Sequence, residues 1–414
     1  GKVRAVTPTS TVHISDIRTW LRCRQQWEFS SPHRMNLEPN IPYVPFFLGQ
    51  GIHHALHYKY EGLADSAVMA FDIWAEKELL RLDKLEGGMS LEDKSKLQQN
   101  ITLGRGMLEH YELWQSKQDG QNDDVNLEFL ALELSSNDVP LIRPDGEYQL
   151  PFFDDEPMDG WVNYGLRLDG VVKRKSDNTY WVLEHKTARS IDELVQSLDN
   201  DNQAGMYAWA AQHLLGLHVS GILYNIMRKK VPTQARTLKD GGLSQDKSID
   251  TTFEVYKKQL DDLAWEWAGD ESTVLGWETM TPEAHAEAKA QPQQALFDGV
   301  RHKLYDIHKD MLQVLFDKGN TFFRRVEVRR TQTELELLAE NNRLIAKKML
   351  DPQEPVYPSP LWANCNFCRF KLPCLMVMRG ADPTPLLQER YRTRTEWADP
   401  DLYFYEQEIN HEHA

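Results

Sequence analysis

The run "GLRLDGVVKRKSDNTYWVLEHKTA" at residues 165–188 decides the reading of this chain. Its two halves are rich in Val, Leu, Tyr and Trp and flank the polar tetrad "KSDN", the signature of two strands joined by a turn. A turn centred between Ser176 and Asp177 places Asp169 directly opposite Glu184, within cross-strand reach. Lys186 lies two residues beyond Glu184 and projects from the same face, because strand side chains alternate. Two carboxylates that face each other repel unless a cation sits between them. Hard oxygen ligands of this kind suit Mg²⁺ or Mn²⁺. A metal there makes water more acidic, and Lys186 can position that water or stabilise charge developing on a phosphate. The competing reading of the hairpin alone is an ordinary surface strand with scattered Asp, Glu and Lys.

Outward from the hairpin, helical patterns precede it and alternate with strands after it. Ser15 is expected to cap a helix through "DIRTWLRCRQQWEF", with Ile17, Leu21 and Phe29 at helical spacing and Cys23 inside it. Gly49 is expected to open a second helical stretch, "QGIHHALHYKYEGL". Helical patterns then run to about Gln118 around a polar turn region, "LEGGMSLEDKSK". "LEFLALEL" alternates like a strand. "NDNQAGMYAWAAQHLLG" reads as a helix ending at Gly216, and "SGILYNIMRKK" as a further strand. "VRHKLYDIHKDMLQVLF" reads as one amphipathic helix and "TFFRRVEVRR" as a strand. Thr331 with Glu334 can form a capping box for a helix through Lys348. The expected division is a helical region at 1–120, a core sheet and helix at 121–237, a polar helical insertion at 238–292, helices, a strand and a cysteine knot at 293–380, and an acidic tail at 381–414. There is no internal repeat and no phosphate-binding G-x4-G-K-[ST] loop.

A formal net charge of −16 argues against a generic polyanion binder. The charge is unevenly placed, however. Residues 396–414 carry six carboxylates and no Lys or Arg, whereas Arg228, Lys229 and Lys230 cluster, as do Arg324, Arg325, Arg329 and Arg330. Local basic strips, not net charge, shape a binding groove, so Arg228, Lys229 and Lys230 are candidate contacts to a nucleic-acid backbone. The longest apolar runs, such as "WAAQHLLGL", are too short to span a bilayer, and no secretory leader is visible at the start. The expectation is a cytoplasmic protein without a membrane partner.

The chain has four cysteines, Cys23 alone and Cys365, Cys368 and Cys374 as C-x2-C-x5-C. That is the layout of a thiolate-ligated metal site in a reducing compartment, not of a disulfide framework. Zinc and iron–sulfur clusters both accept four thiolates. Structural zinc sites commonly use two close pairs, and here the ligands divide as one plus three.

Taken together, "RLDGVV" followed by "VLEHKTA", the G-x3-H of Gly49 and His53 in "LGQGIHHAL", and the Q-x3-Y of Gln203 and Tyr207 resemble the PD-(D/E)xK nuclease superfamily. They resemble its RecB-like branch in particular. The one-plus-three cysteines, with "SDIRTWLRCRQQWEF" and "CNFCRFKLPC" around them, are similar to the iron–sulfur members of that branch: the CRISPR-adaptation exonuclease family, the AddB nuclease domain and stand-alone phage exonucleases. Arg24 stands where relatives commonly have proline. The resemblance implies an α/β fold with a central mixed sheet flanked by helices, a restriction-endonuclease-like core whose N- and C-terminal segments are clasped by an iron–sulfur cluster. It implies that His53, Asp169, Glu184 and the backbone carbonyl of His185 bind Mg²⁺ or Mn²⁺ and that Lys186 is the catalytic lysine. Gln203 and Tyr207 would shape the DNA side of the pocket, and Cys23, Cys365, Cys368 and Cys374 would hold a 4Fe–4S cluster. Asp145 and Glu147 are further candidate ligands. The expected activity is a metal-dependent DNA exonuclease acting on single strands or free ends in recombination, repair or phage DNA processing. The alternatives are a structure-specific endonuclease and a DNA-end-binding recombination or packaging subunit with an accessory nuclease. A helicase or recombination partner and self-assembly both fit such a role.

Overall fold

A computed structural model of the chain describes residues 10–40, 44–84, 89–115, 124–142, 162–269, 281–282, 293–366 and 368–394. Asp145, Glu147 and the acidic stretch 396–414 lie outside these residues. The described chain opens with β1 (Ser10–His13), α1 (Ile14–Arg22), α2 (Arg24–Ser30) and β2 (Leu37–Pro39). A helical layer follows, made of α3 (Val44–Tyr60), α4 (Ala67–Asp83) and α5 (Leu91–Gln115). Next come β3 (Leu127–Ile142), β4 (Val162–Arg174), β5 (Tyr180–Ala188), α6 (Ile191–Val195), α7 (Asn202–Leu215) and β6 (Val219–Arg228). The helices α8 (Phe253–Gly269), α9 (Gln293–Ile307) and α10 (Lys309–Lys318) precede β7 (Phe323–Arg329) and α11 (Gln332–Leu350). Last are α12 (Trp362–Cys365), α13 (Lys371–Met378), α14 (Thr384–Arg390) and β8 (Tyr391–Thr393).

Among the described residues, β1, β3, β4, β5, β6 and β7 form one mixed six-stranded sheet. β3 runs antiparallel along the whole of one edge of β4. The other edge is shared: β1 pairs in parallel with Val162 to Gly165, and β5 pairs antiparallel with Gly170 to Lys173. The β4–β5 register is the one the turn implies, with Gly170 opposite Leu183 and Val171 opposite Val182. Asp169 and Glu184 are therefore the next step beyond the last pair. β6 lies parallel to β5 after the α7 crossover, and its run from Gly221 to Met227 is buried throughout, as a central strand covered on both faces requires.

Helices cover both sides of the sheet. One hydrophobic cluster joins Val171, Val182, Ile222 and Ile226 to Ala204, Ala208 and Trp209 of α7 and to Leu335 and Ala346 of α11. A second joins Ile52, Phe71, Leu108 and Tyr111 of α3, α4 and α5 to Met227 and Phe323 of the sheet. Separate from both, a third cluster packs α8, α9 and α10 on one another through Leu260, Val300 and Met311. The segments at the two ends of the described chain are joined as well. β2 and β8 make a two-stranded antiparallel sheet, and Phe29 stacks on Phe370 at 5.5 Å. Arg24 donates to Glu354 at 2.9 Å and stacks over Trp20 and Tyr357.

Several local expectations hold and several need correction. Gly216 ends α7 in the left-handed conformation, φ 64°, that glycine adopts without strain. The Thr331–Glu334 capping box is complete at the start of α11. Ser15 is not a cap, because α1 begins at Ile14 behind His13. Cys23 is not inside a helix: its extended backbone, φ −162°, separates α1 from α2. Gly49 does not open α3, which already runs from Val44, and the polar stretch expected as a turn continues as α5 from Leu91. The single helix expected after residue 300 breaks at His308, whose ring is held by the Tyr256 hydroxyl at 2.7 Å.

Candidate active site

The pocket begins where the β4–β5 ladder stops. Past Gly170 the two strands no longer exchange backbone hydrogen bonds, and the Asp169 carboxylate takes the place of a strand partner: its Oδ2 accepts the His185 N–H at 2.6 Å. Its Oδ1 lies 2.8 Å from His53 Nδ1, delivered by α3 one helical turn after Gly49. No atom lies within 4 Å of where a Cβ at Gly49 would stand, so the glycine leaves the pocket mouth open. His54 is the neighbour that does not reach the pocket; it is buried and stacks on Tyr58 at 4.2 Å.

Glu184 and Lys186 follow on β5. Lys186 Nζ donates to Glu184 Oε1 at 2.9 Å and lies 3.4 Å from Asp201 Oδ2. Asp201 is the N-cap of α7, accepting from the backbone of Gln203 and Ala204, and it also accepts from the Tyr224 hydroxyl at 3.2 Å. The cap that starts the helix thus also braces the lysine. In the first turn of α7, Gln203 Nε2 donates to the hydroxyl of Tyr207 one turn on at 2.8 Å, while Arg18 of α1 donates to Gln203 Oε1 at 3.0 Å. His53, Asp169, Glu184, His185, Lys186, Gln203 and Tyr207 all line one cavity of about 250 Å³. The structure therefore places these seven residues around one cavity, while the further candidates Asp145 and Glu147 lie outside the described residues.

Two charged lining residues escaped the sequence reading. Glu133 of β3 sits between the pairs Leu132–Gly170 and Leu134–Leu168, hence alongside Asp169, and it is ion-paired with Arg167. Glu133 was masked by the alternation of "LEFLALEL", where a polar residue is an ordinary outward one. Beneath the pocket, His185 Nδ1 meets Asn225 at 3.0 Å, Asn225 donates to the Tyr111 hydroxyl, and Tyr111 meets Tyr60 at 2.7 Å. This chain of buried groups fixes the strand that carries Glu184 and Lys186.

The electrostatics follow from crowding opposite charges out of water. Burial raises the Glu184 carboxyl above its ordinary range, against the pull of Lys186. Burial also opposes the charge on Asp169, but His53 and the His185 amide outweigh it and hold the carboxyl below its ordinary value. Burial likewise works against protonated His53, yet Asp169 beside it raises the ring to about 9. Lys186 is lifted above its ordinary value by Glu184 and Asp201 despite burial, and burial drops His185 to about 3.

Among the described residues, no three His, Cys, Asp or Glu side chains converge as the ligands of a single ion do. In the pocket the reason is visible: His53 holds Asp169 and Lys186 holds Glu184. The donor set itself, one buried and one half-buried carboxylate on adjoining strands with an imidazole, is chemically that of a hard divalent-ion site. The basic strip expected to touch nucleic acid lies elsewhere. Arg228 and Lys230 both bind Asp250, at 2.9 and 2.5 Å, and none of Arg228, Lys229 and Lys230 lines the cavity.

The cysteines meet at the other end of α1. Cys23, Cys365, Cys368 and Cys374 line a second cavity, of about 80 Å³, closed on one side by Phe370. The Ser359 N–H donates to Cys23 Sγ at 3.4 Å, and Asn364 Nδ2 donates to the Arg22 carbonyl at 3.0 Å, so the two chain segments are already stitched. Burial pushes the Cys374 thiol up to about 11 and raises Cys368, each further discouraged from ionising by the neighbouring cysteines. The four thiols border one space and their chemistry suits a thiolate-ligated group, although no three of them stand as close together as the ligands of one ion.

The family model of the PD-(D/E)XK nuclease superfamily matches residues 12–374, a span that takes in both the pocket and the cysteines. No curated protein matches the chain. Members of the superfamily are metal-dependent nucleases that use divalent ions such as Mg²⁺ or Mn²⁺. No described helix is long and apolar enough to cross a membrane.

Proposed function

The chain belongs to the PD-(D/E)XK nuclease superfamily, and from that premise we propose that it is a DNA exonuclease of the RecB-like, iron–sulfur kind. It hydrolyses phosphodiester bonds from free ends of DNA, single strands above all, in recombination, repair or phage DNA processing. The observation that carries this reading is the meeting of His53, Asp169, Glu184 and Lys186 in one cavity bordered by Gln203 and Tyr207.

In this reading Asp169, Glu184, His53 and the His185 carbonyl hold one Mg²⁺ or Mn²⁺. The ion supplies positive charge against the scissile phosphate and makes water a stronger acid. His53 is bonded to Asp169 and Lys186 to Glu184 Oε1; an ion held by these carboxylates would take the place of both contacts and leave Lys186 beside Asp201, whose helix-capping bonds keep it in place. Lys186 then faces the phosphate as a fixed ammonium that orients the attacking water and stabilises the charge that builds on the phosphate oxygens. Gln203 and Tyr207, hydrogen-bonded to each other, border the path of the strand. The cysteines hold a 4Fe–4S cluster that closes the two chain ends together. Support for a cluster over zinc comes from the one-plus-three division of the cysteines, where structural zinc sites commonly use two close pairs.

The test is incubation of the purified protein with end-labelled linear DNA, linear single strands and closed circles, with Mg²⁺, Mn²⁺ or chelator. Linear DNA should be degraded, circles spared, and chelator should stop the reaction. Rapid cutting of single-stranded circles would turn the assignment to an endonuclease. Binding without hydrolysis under any metal would turn it to an end-binding subunit.

A further inference from the structure

Glu133 and Arg167 form a pair inside the pocket that the reaction as described does not use. Among the described residues the non-glycine residues with positive φ are Asn36, Asn178 and Glu133. The first two are of the type that tolerates it in turns; a glutamate at φ 48° within a strand is an outlier that the surrounding structure must enforce. Irregularities in β3 after Phe129 and after Ser136 bracket it. In the register of β3 against β4, Glu133 stands alongside Asp169 with its side chain only 12 % exposed and binds Arg167 Nε through Oε2. Arg167 is 9 % exposed, and both residues line the cavity with Asp169, Glu184 and Lys186.

A carboxylate placed beside Asp169 would repel it unless neutralised, and the neutralising group is a guanidinium that itself faces the cavity. A guanidinium gripped at Nε by a carboxylate is a rigid fork of donors, the geometry that matches two oxygens of one phosphate. We propose that Arg167 grips the scissile phosphate and that Glu133 is its positioning residue. Lys186 then enters from β5 as a point charge and Arg167 from β4 as a fork, so the phosphate is held by cations from two strands. This rests on the nuclease reading of the pocket and adds a phosphate-contacting residue to it.

The experiment compares Arg167→Gln, Arg167→Lys and Glu133→Gln with wild type by three readouts: Mn²⁺ binding by calorimetry, affinity for labelled single-stranded DNA in EDTA at several salt concentrations, and kcat and KM on an oligonucleotide. Arg167→Gln should lower kcat/KM about 100-fold. It should also reduce the DNA salt slope by about 0.7, one phosphate contact, with Mn²⁺ affinity unchanged. Arg167→Lys keeps the charge and the pair with Glu133, so it should fold and still lose about tenfold in kcat for want of the fork. Glu133→Gln should lower kcat more than it raises KM, because the fork is misplaced and not removed. Wild-type kcat in Arg167→Lys, or weakened Mn²⁺ binding in Glu133→Gln, overturns the proposal, the latter by making Glu133 a metal ligand. A wild-type protein that hydrolyses nothing sinks the nuclease reading instead, and the DNA affinities then still decide whether Arg167 touches phosphate.

Discussion

The pocket around Asp169 and the cavity among the cysteines are built from different kinds of neighbour. In the pocket every buried charge has a partner of opposite sign supplied by the protein: His53 for Asp169, Lys186 for Glu184, Arg167 for Glu133. In the cysteine cavity four acidic groups meet with Phe29, Phe370 and Tyr391 packed close behind, and burial holds Cys368 and Cys374 in the neutral thiol form. The pocket can therefore fold without its metal. The cavity is bordered by four thiols that have no cationic partner among its lining residues other than Lys371. Losing the metal from the pocket should cost chemistry and spare structure, and losing the group from the cysteines should do the reverse.

The sharpest way to break that contrast is to empty each region in turn. Glu184→Ala, Asp169→Ala or Lys186→Ala should each lower DNA hydrolysis by about a thousandfold, with iron content unchanged and thermal unfolding still cooperative. Full activity in Lys186→Ala removes the pocket from the mechanism. Cys23→Ala or Cys374→Ala should give colourless protein, lacking iron and acid-labile sulfide, that unfolds at markedly lower temperature. A group bound to the folded state alone contributes several kcal/mol, on the order of 3 or more, and activity should fall only in step with the folded fraction. Native protein kept from air should be brown, with iron and sulfide in equal amounts. Stoichiometric zinc without sulfide would replace the cluster while leaving the pocket intact.

The same contrast governs what could be seen in the residues alone. Asp169, Glu184 and Lys186 lie on one hairpin, and hairpin register follows from a turn and an alternation, both local. His53, Gln203 and Tyr207 needed the family resemblance, because nothing in a helix states which strand it will face. Arg167 was legible and passed over: it lies two residues before Asp169 on β4, so the alternation that placed Lys186 places it too. Glu133 was not, because its place beside Asp169 depends on the register of β3 against β4, which no local pattern reports. The spacing of the cysteines suggested a common site, and they do border one space, yet Cys23 was read as helical. Its extended backbone depends on contacts hundreds of residues away, such as the Gln25 N–H on the Tyr357 carbonyl at 3.1 Å. The β2–β8 clasp was missed likewise, since three-residue strands carry no periodicity.

A smaller effect separates the regions by pH. The His53–Asp169 pair raises His53 from 6.5 to about 9 in the folded protein without metal. A group whose folded pKa is raised contributes stability that is fully present below its unfolded value and lost as pH climbs through the folded one. In EDTA the melting temperature of wild type minus that of His53→Gln should thus hold steady from above the ordinary carboxylate range, where the depressed Asp169 still contributes in full, up to pH 6.5 and vanish as pH passes about 9. Metal binding displaces that proton, so Mn²⁺ affinity should rise over the same interval. A melting difference that stays flat from pH 6 to 10 would mean that the pair is not ionised, and the pocket would then lose the self-neutralised character that distinguishes it from the cysteines.

The smallest effect belongs to the basic strip after β6, which resembles neither region. Arg228 and Lys230 share one carboxylate, Asp250, and Lys230 is nearly half exposed. Exposed pairs of this kind are worth only about 0–1 kcal/mol, so a phosphate can displace Asp250 at little cost. The strip keeps a surplus of positive charge even while paired, since Lys229 adds a third cation to one carboxylate. Replacing Arg228, Lys229 and Lys230 together by Gln should reduce the salt slope of single-stranded DNA binding by about 0.7–1.4, one or two phosphate contacts, without changing kcat. Asp250→Asn should shift affinity the other way, because it frees the same two side chains. An unchanged slope in the triple variant together with unchanged affinity in Asp250→Asn would mean that the strip faces away from the strand. The path to the pocket would then be set from the α1 side, where Arg18 already reaches Gln203.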